Sequence, residues 1–311
     1  MTLSRRQFVA TSSSAALYAL LVDHRLLAQP AAPTIVELRR GVSAFSLRGG
    51  TIGILQARDG LVIVDSQYAD TAKVCLDGVR ARTARTIDLV VNTHHHGDHT
   101  SGNGVLRAAA ARIVAHENSA ALQRKTAAAS PPPAAGAPPA PVPTYPDATY
   151  SSTWSERIGD ETVALKYYGP GHTSGDSVVT FEQANVVHMG DLMFNRMHGF
   201  VDVPSGASIA NWASLLELVV KAHDRDTMYI FGHGNAGKVT GASADLLEFS
   251  AYLQALLTAA HDAVKKGTPR DEFVKGTLAA RFADYTSPVP NNPNFSLAGN
   301  MGKAFDEASK K

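Results

Sequence analysis

The sequence predicts an α+β protein in which two β-sheets pack together with helices on the outside. Short β-like runs followed by a helix occur in the first half of the chain, and the same order returns in the second half. Hydrophobic residues make up 44% of the 311 residues, which is enough to build a sizeable core. Two packed sheets with outer helices bury both sets of strands, so we expect this layered arrangement.

The first half contains four short β-like runs, one helix and a buried strand. Glycine-containing turns, Arg48-Gly49-Gly50 and Asp59-Gly60, separate the runs, as is typical of strands joined by tight turns. The predicted elements in order are strands 35–38, 42–47, 52–56 and 61–65, a helix over 70–82, and a strand over 87–92. After the strand over 87–92, we expect a helix, a strand and a second helix over residues 105–125.

The second half repeats the pattern and ends in helices. We expect strands over 163–167, 178–181 and 185–188, an amphipathic helix over 209–222, a strand over 228–231, and helices over 242–266 and 270–280. Residues 33–283 therefore form one predicted folded domain. The tail, residues 284–311, is rich in proline, asparagine and glycine and is expected to be irregular.

A proline-rich insertion lies between the two halves of the chain. Residues 130–146 carry eight of the sixteen prolines of the chain among alanines, so a helix or central strand is excluded there. The composition indicates a surface loop. It is either a flap over the site or a disordered spacer.

The N-terminus has the composition of an export signal. Arg5 and Arg6 precede a mildly apolar stretch, residues 9–22, which is shorter than the roughly twenty residues that a membrane-spanning helix needs. Small residues follow at a plausible cleavage site. Residues 1–32 resemble a twin-arginine signal peptide, which implies a periplasmic or secreted protein with no membrane span after the signal is removed. An ordinary secretory signal and an amphipathic helix remain alternatives.

Charge and cysteine content limit the partners. The formal net charge is +1 and no Lys/Arg stripe occurs, so a nucleic-acid partner is not expected and a small-molecule substrate is favoured. Cys75 is the sole cysteine, so no internal disulfide can form. The sequence carries no signal for an oligomeric state.

Four potential metal ligands stand within six residues directly after the predicted strand 87–92. On an extended segment His94 and His96 point to the same side, and Gly97 permits a sharp turn that lets Asp98 and His99 approach from another direction. Imidazole and carboxylate groups are good ligands for zinc and similar ions. This run predicts a metal-binding loop with room for two neighbouring ions.

Three further candidates occur in the same context, at strand ends beside glycine. They are His172 in Gly-Pro-Gly-His-Thr, Asp191 in Met-Gly-Asp-Leu, and His233 in Phe-Gly-His-Gly. Each is weak alone, because a single histidine beside glycines is usually an ordinary loop residue. Together with the four residues of the first run, in this order, they indicate a metal centre.

With these seven residues the chain resembles the metallo-β-lactamase-fold hydrolase superfamily, over about residues 35 to 265. The resemblance implies a four-layer αββα sandwich and two bound ions. His94, His96 and His172 would bind the first ion. Asp98, His99 and His233 would bind the second, with Asp191 bridging.

The resemblance also implies a mechanism. Two ions would share a water, lower its pKa and use the resulting hydroxide as the nucleophile, while polarising a substrate carbonyl. Asp98 would be the catalytic residue that accepts a proton or orients the hydroxide. Zinc is the expected metal, with iron or manganese as alternatives. Asp65 matches a family acid near the metal loop and is expected to hold a ligand by a hydrogen bond; a simple turn or cap is the alternative.

The remaining histidines are expected to lie outside the ligand set. His95 should point away from the metals because it alternates with His94 and His96. His198 follows Asp191 by seven residues and is a candidate cleft residue, although an ordinary structural role is favoured.

Departures from known subfamilies leave the substrate open. In the commonest β-lactamase subclass a cysteine takes the place of Asp191, and a lysine three residues later grips the lactam carboxylate; here Phe194 stands at that position. His96 argues against the flavin-linked di-iron members, which have glutamate there. The basic glutathione site of glyoxalase II is not visible in residues 242–266, and no lactonase-type tyrosine can be placed.

Three hypotheses follow. The first is a periplasmic two-zinc hydrolase that cleaves an ester, thioester, lactone or lactam. The second is a true metallo-β-lactamase. The third is a non-catalytic metal-binding accessory module on the same fold.

Overall fold

The computed structural model describes residues 34–129 and 142–310. The predicted signal, residues 1–32, and residues 130–141 of the proline-rich insertion lie outside this part of the chain. The described end of the insertion, residues 142–146, has no regular secondary structure.

The first sheet has seven strands in the order β1 to β7. Neighbours are antiparallel from β1 to β4 and parallel from β4 to β7. The strands are β1 (Thr34–Arg39), β2 (Val42–Ser46), β3 (Ile52–Ala57), β4 (Gly60–Val64), β5 (Leu89–Asn92), β6 (Ile113–His116) and β7 (Ala148–Tyr150).

The second sheet has six strands in the order β15-β13-β11-β10-β9-β8, and β12 pairs with β14 in a small separate ribbon. These strands are β8 (Thr153–Ile158), β9 (Glu161–Lys166), β10 (Val178–Phe181), β11 (Val186–His188), β12 (Phe194–Asn195), β13 (Met228–Ile230), β14 (His233–Gly234) and β15 (Thr240–Gly241).

Helices cover the outer faces of both sheets. They are α1 (Ala69–Arg80), α2 (Gly97–Thr100), α3 (Asn103–Arg107), α4 (Glu117–Ala129), α5 (Ile209–Ala222), α6 (Ser243–Lys266), α7 (Arg270–Phe273) and α8 (Leu297–Ala308). Short 3-10 turns, such as Gly190–Leu192, join some elements.

Three hydrophobic clusters establish the layer order. The central cluster lies between the sheets and includes Val62 of β4 and Phe181 of β10. A second cluster packs α1 against the outer face of the first sheet, and a third packs α5 and α6 against the second sheet. The predicted four-layer αββα sandwich is confirmed.

Strand direction brings the candidate site residues to one end of the sandwich. β4 and β5 are parallel, so residues that follow them share an edge. In the second sheet β9, β11 and β13 run in one direction, because β10 is antiparallel to both β9 and β11 and β13 is parallel to β11. The segments after these strands therefore converge.

The expectation of an irregular C-terminal tail is wrong for its last part. Residues 297–308 form α8, and the hydroxyl of Ser296, which caps its N-terminus, accepts from Gly299 N at 3.0 Å. Met301 and Ala304 are buried in the cluster below α6. Gly299 and Gly302 lower the helix propensity of this segment, so its sequence does not indicate a helix. The helix forms because the burial of Met301 and Ala304 compensates for this low propensity.

Two other expectations need correction. The helix expected over 270–280 is the single turn α7, followed by a bend in which Gly276 N bonds to the Phe273 carbonyl. The strand β8 was not predicted, because its alternating residues are mostly polar and only its last residue, Ile158, is buried. In the described ranges no helix is both long and apolar enough to cross a membrane.

Candidate metal centre

The run from His94 to His99 begins just beyond β5 and closes into the single turn α2. His96 is extended (φ −65°, ψ 149°) and immediately precedes this turn. The loop backbone is tied to the β2–β3 hairpin by Gly50 N, which donates to the Asp98 carbonyl at 3.0 Å. On the other side, Ser177 N donates to the Thr93 carbonyl at 2.7 Å. The loop is therefore held by both halves of the fold.

Three imidazole rings converge in a first group. His94 Nε2 lies 3.1 Å from His96 Nδ1, and His172 Nε2 lies 2.8 Å from the same His96 atom. All three residues are buried. The structure thus brings together the three histidines that were predicted for one ion.

An outward hydrogen bond sets the tautomer of His94. The Thr93 hydroxyl donates to Asp65 Oδ2 at 2.7 Å, so its oxygen accepts from His94 Nδ1, which is 3.1 Å away. The proton of His94 is therefore on Nδ1, and Nε2 carries a lone pair that faces the group.

The other two rings follow the same rule. His172 Nδ1 donates to the Phe200 carbonyl at 2.6 Å, and His96 Nε2 donates to Asp202 Oδ2 at 2.9 Å. Their inward nitrogens also carry lone pairs. Three lone pairs directed at one point are the arrangement that a divalent cation needs from histidine ligands.

A second group combines histidines with carboxylates. His99 Nε2 lies 2.9 Å from Asp191 Oδ1, and His233 Nε2 lies 3.2 Å from Asp98 Oδ2 and 3.4 Å from Asp191 Oδ2. Candidate ligand atoms of this group lie within 4.8 Å of one another, as they do in the first group.

Asp191 belongs to both groups. Its Oδ2 lies 3.6 Å from His172 Nε2 and 3.8 Å from His94 Nε2, in addition to its contacts with the second group. One carboxylate therefore stands between the two sets of ligands, as was predicted for a bridging residue.

The two groups differ in charge. In the first group, burial and then the neighbouring His96 lower the pKa of His172 to about 4, and burial lowers the pKa of His94, so these two rings are neutral near pH 7. In the second group burial opposes charge on His233, but the carboxylates of Asp191 and Asp98 outweigh it and raise its pKa to about 9. Without an ion, the second group therefore holds protons where a cation would otherwise balance its carboxylates.

The donor set fits a metal. His99 Nε2 and Asp191 Oδ1 are buried and approach to 2.9 Å, but they are not aligned for a hydrogen bond, and neither atom has a hydrogen-bond partner in the described part of the chain. Both atoms face the space shared by the second group. Histidine nitrogens and carboxylate oxygens that converge on one space suit zinc and other divalent ions.

Asp65 orients His99, a residue of the second group, through a hydrogen bond to its outer nitrogen. It is fully buried and lies just beyond β4 in a left-handed conformation (φ 66°). Its Oδ2 accepts from His99 Nδ1 at 2.7 Å, and its Oδ1 accepts from Thr93 N at 2.7 Å. The carboxylate thereby directs the free nitrogen of His99 toward Asp191.

Two glycines allow the backbone to approach the site. A Cβ on Gly50 would lie 2.0 Å from the His99 ring, and a Cβ on Gly232 would lie 2.1 Å from Asp191 Oδ1. Gly232 also accepts a hydrogen bond from Thr51 N at 2.9 Å, which joins the two halves next to the ligands. Sequence reasoning did not single out Gly50.

Other nearby residues were also missed. Asp202 and Ser205, in the loop after β12, contact the histidine run, although no regular spacing links them to it. Tyr68 interacts with Asp98, and the Arg48 guanidinium lies 4.5 Å from its ring centroid. Burial first, and then Asp98, raises the pKa of the Tyr68 hydroxyl.

The histidines expected to be non-ligands lie outside both groups. His95 belongs to neither group, and its Nε2 lies 3.7 Å from Asp202 Oδ2. His198 is buried and pairs with the Tyr252 hydroxyl at 2.9 Å, so it packs below α6 rather than lining the site. His188 bonds to the Thr51 carbonyl and to Gly190 N.

Comparison with known proteins decides the family. Residues 46–233 match the sequence profile of the metallo-beta-lactamase superfamily. The chain belongs to this superfamily. Membership of this superfamily makes it a metal-dependent hydrolase. The matched region, residues 46–233, contains all seven candidate ligands.

The relatives of this chain are distant in sequence. A probable metallo-hydrolase of Methanocaldococcus jannaschii is 26% identical over 193 residues, covering 57% of this chain and 84% of the relative. A metallo-beta-lactamase type 2 of Bacillus cereus is 23% identical over 185 residues, covering 59% and 66%. A solved metallo-beta-lactamase from Pontibacter korlensis has a TM-score of 0.57 at 18% identity, covering 71% of this chain and 99% of that one. This last likeness concerns the fold.

Proposed function

We propose that the chain is a two-metal hydrolase that cleaves an ester, thioester, lactone or lactam. The observation that carries this proposal is the pair of ligand groups sharing Asp191. Seven side chains would hold the two ions: His94, His96 and His172 for the first, Asp98, His99 and His233 for the second, and Asp191 between them.

The residues of the chain prepare the site for this chemistry. When bound, two divalent ions would polarise a substrate carbonyl and lower the pKa of a water toward neutrality. Asp98 has the most exposed side chain among the carboxylates of the site, at 21%. It is therefore placed to orient the attacking water and accept its proton. Burial of the ligands excludes bulk water and strengthens the interaction with the developing oxyanion.

Zinc is the proposed metal. The first group offers three neutral imidazoles and the second offers two histidines with carboxylates, which is the mixture that zinc accepts in catalytic sites. Iron and manganese tolerate the same ligands, and metal analysis of the purified protein distinguishes the three.

A β-lactamase activity is the second candidate. Its support is the named activity of the relative from Bacillus cereus. The local residues favour it less, because Phe194 is buried and stacks on His233 with ring centroids 5.2 Å apart. No cation occupies that position to grip a lactam carboxylate.

Export is proposed from the sequence alone. The paired arginines Arg5 and Arg6 and the short apolar stretch after them support a twin-arginine signal and a periplasmic or secreted protein. Fractionation of cells that carry an Arg5→Lys/Arg6→Lys variant tests this, and loss of the exported form is the expected result.

Metal analysis with an Asp98→Ala variant tests the function. We expect two ions per wild-type chain and hydrolysis of at least one ester, thioester, lactone or lactam in a panel, with turnover reduced at least about 100-fold in the variant. Full turnover in the variant would contradict the proposed role of Asp98. Stoichiometric metal without hydrolysis of any substrate would indicate a binding module instead.

A further inference from the structure

A third cluster of polar side chains lies behind the first metal group. It contains His95, His96 and Asp202, whose candidate ligand atoms also lie within 4.8 Å of one another. The His95 and Asp202 side chains are 0% and 2% exposed. Burying a carboxylate this deeply is costly unless hydrogen bonds satisfy it, so the partners of Asp202 are informative.

Three donors converge on this carboxylate, directly or through a hydroxyl. His96 Nε2 donates to Asp202 Oδ2 at 2.9 Å. The Ser205 side chain bonds to the same carboxylate, and His95 Nε2 lies 3.3 Å from Ser205 Oγ. If Ser205 donates to Asp202, its oxygen accepts from His95. We call these four residues (His95, His96, Asp202 and Ser205) the Asp202 network.

The loop that carries Asp202 is fixed by its backbone. Ser205 N and Ala207 N both donate to the Asp202 carbonyl, at 3.0 and 3.1 Å. Ser174 N donates to the Ser205 carbonyl at 2.9 Å, two residues after His172. The carboxylate is thus held at a defined place relative to two ligands of the first group.

A third ion at this cluster conflicts with the hydrogen bonds. The inward nitrogen of His96, Nδ1, belongs to the first group, so an ion at Asp202 would require His96 to lose the proton on Nε2 as well. That proton already makes a 2.9 Å hydrogen bond to Asp202. The cluster is therefore explained by hydrogen bonding to a ligand.

We propose that Asp202 is a positioning residue for the first metal group, and that Ser205 and His95 hold Asp202 in turn. By accepting from His96 Nε2, Asp202 keeps the ring in the orientation that presents Nδ1 to His94 and His172. This inference rests on the proposed two-metal function. Asp202 is 106 residues away in sequence from His96, the ligand that it orients.

Metal affinity, measured without any substrate, tests the inference. The Zn²⁺ affinity of each of the two sites is determined by competition with a chromogenic chelator, and Co²⁺ absorption reports the geometry of the bound ion. In Asp202→Asn we expect one site to weaken by about 10- to 100-fold, as is usual when a group that orients a ligand is changed. The other site should change by less than about 3-fold, and the Co²⁺ spectrum should shift.

Two further variants separate positioning from general destabilisation. We expect Ser205→Ala to weaken metal binding at the same site less than Asp202→Asn does, because Ser205 does not contact His96. The double variant should bind about as weakly as Asp202→Asn alone, because both substitutions act through one carboxylate. Asp147→Asn is the control, because Asp147 lies just before β7, outside both ligand groups, and its carboxylate accepts from Ile113 N and Arg107 instead of from a histidine. It should leave both affinities unchanged.

The outcomes are distinguishable. Wild-type affinities in both Asp202→Asn and Ser205→Ala would overturn the positioning role while leaving the two-metal site intact. Three ions per saturated wild-type chain would also overturn it, because the cluster would then be a metal site itself. A wild-type chain that binds no ion would refute the proposed function first, and this inference with it.

Discussion

The protonation of individual rings prepares the two halves of the centre differently. His94, His96 and His172 each donate one proton outward, so each ring presents its other nitrogen to the first group. His99 and His233 face carboxylates instead. The first group is therefore organised by hydrogen bonds alone, whereas the second is balanced by charge.

This charge balance predicts a pH dependence for the metal-free protein. The pKa of His233 is raised from 6.5 to about 9 in the folded state, so its protonated form stabilises the fold fully below about pH 6.5, and this contribution is lost as the pH rises through about 9. Urea unfolding in chelator should show stability falling across this window, by at most about 1.4 kcal/mol per pH unit for each proton.

Two variants check the origin of the slope. His233→Ala should make the decline shallower, while replacing the exposed His261 on α6 should not alter it. Metal-loaded protein should lack the decline, because bound ions replace the protons. A flat profile for the metal-free wild type would contradict the assignment.

Sequence reasoning found the candidate ligands and one of their supports, Asp65, but it did not find Asp202. All seven predicted residues come together because each follows a strand whose end lies at one edge. Asp202 contacts His96 across 106 residues from a loop with no repeating pattern. Its role depends on where that loop folds, and a single sequence does not contain this information.

At the scale of elements, the β2–β3 hairpin limits the position of the His99 ring. Gly50 N bonds to the Asp98 carbonyl, and the Gly50 carbonyl accepts from Gln67 Nε2. The hairpin backbone therefore lies directly on the His99 ring, which Asp65 holds from the other side. The ring has no room to move.

A methyl group at this turn should damage both the site and the fold. In Gly50→Ala the new Cβ would meet the His99 ring at 2.0 Å, and we expect a loss of about 1–3 kcal/mol of stability together with loss of one bound ion. Urea unfolding and metal stoichiometry measure both effects.

Gly78→Ala is the control. Gly78 lies within α1, and its nearest neighbour is the flexible end of Ile35, at 3.1 Å. Alanine favours the helix by up to about 1 kcal/mol, so this variant should be neutral or more stable and should keep two ions. Equal behaviour of the two variants would show that the hairpin does not constrain His99.

Strongly patterned elements were predictable, and weakly patterned ones were not. The runs of β4 and β5 are continuous and apolar because both faces of these strands are buried, and α5 has a clear amphipathic pattern with Trp212 and Leu216 inward. In contrast, β8 is an edge strand with one mostly solvated face. Edge strands give a weak signal because few of their residues reach the core.

At the scale of the whole molecule, α8 ties the end of the described chain to the second sheet's helices. Glu307 accepts from Ile209 N and Ala210 N, at 2.9 and 3.0 Å, and from the Ser208 hydroxyl at 3.2 Å. A carboxylate at this place satisfies free N–H groups at the start of α5 and interacts favourably with the helix dipole.

Loss of this carboxylate should lower stability without affecting the site. We expect Glu307→Ala to cost about 1.5–3 kcal/mol in urea unfolding, the range for hydrogen bonds to a charged group, with metal binding unchanged. Asp306→Ala is the neighbouring control, because it removes an exposed ion pair with Arg270 and should cost at most about 1 kcal/mol. Equal losses would refute the capping role.

The layered architecture was predictable from the repeated order of strands and helices, because each set of strands needs cover on both faces. The strand order within each sheet was not. That β13 lies between β11 and β15, for example, depends on a crossover through α5. The docking of α8 was hidden for a similar reason, since its stabilising contacts come from residues almost one hundred positions earlier.

The sharing of ligands between the two halves also fixes an order of events when the chain is made. His94, His96, Asp98 and His99 are synthesised early, but neither ligand group is complete without residues of the second half, and the second group lacks His233 until β13 has formed. A growing chain that carries only the first half offers an ion an incomplete set of partners. Tight metal uptake would therefore come after the sheets have docked, and the amount of bound metal would count the chains that have finished folding.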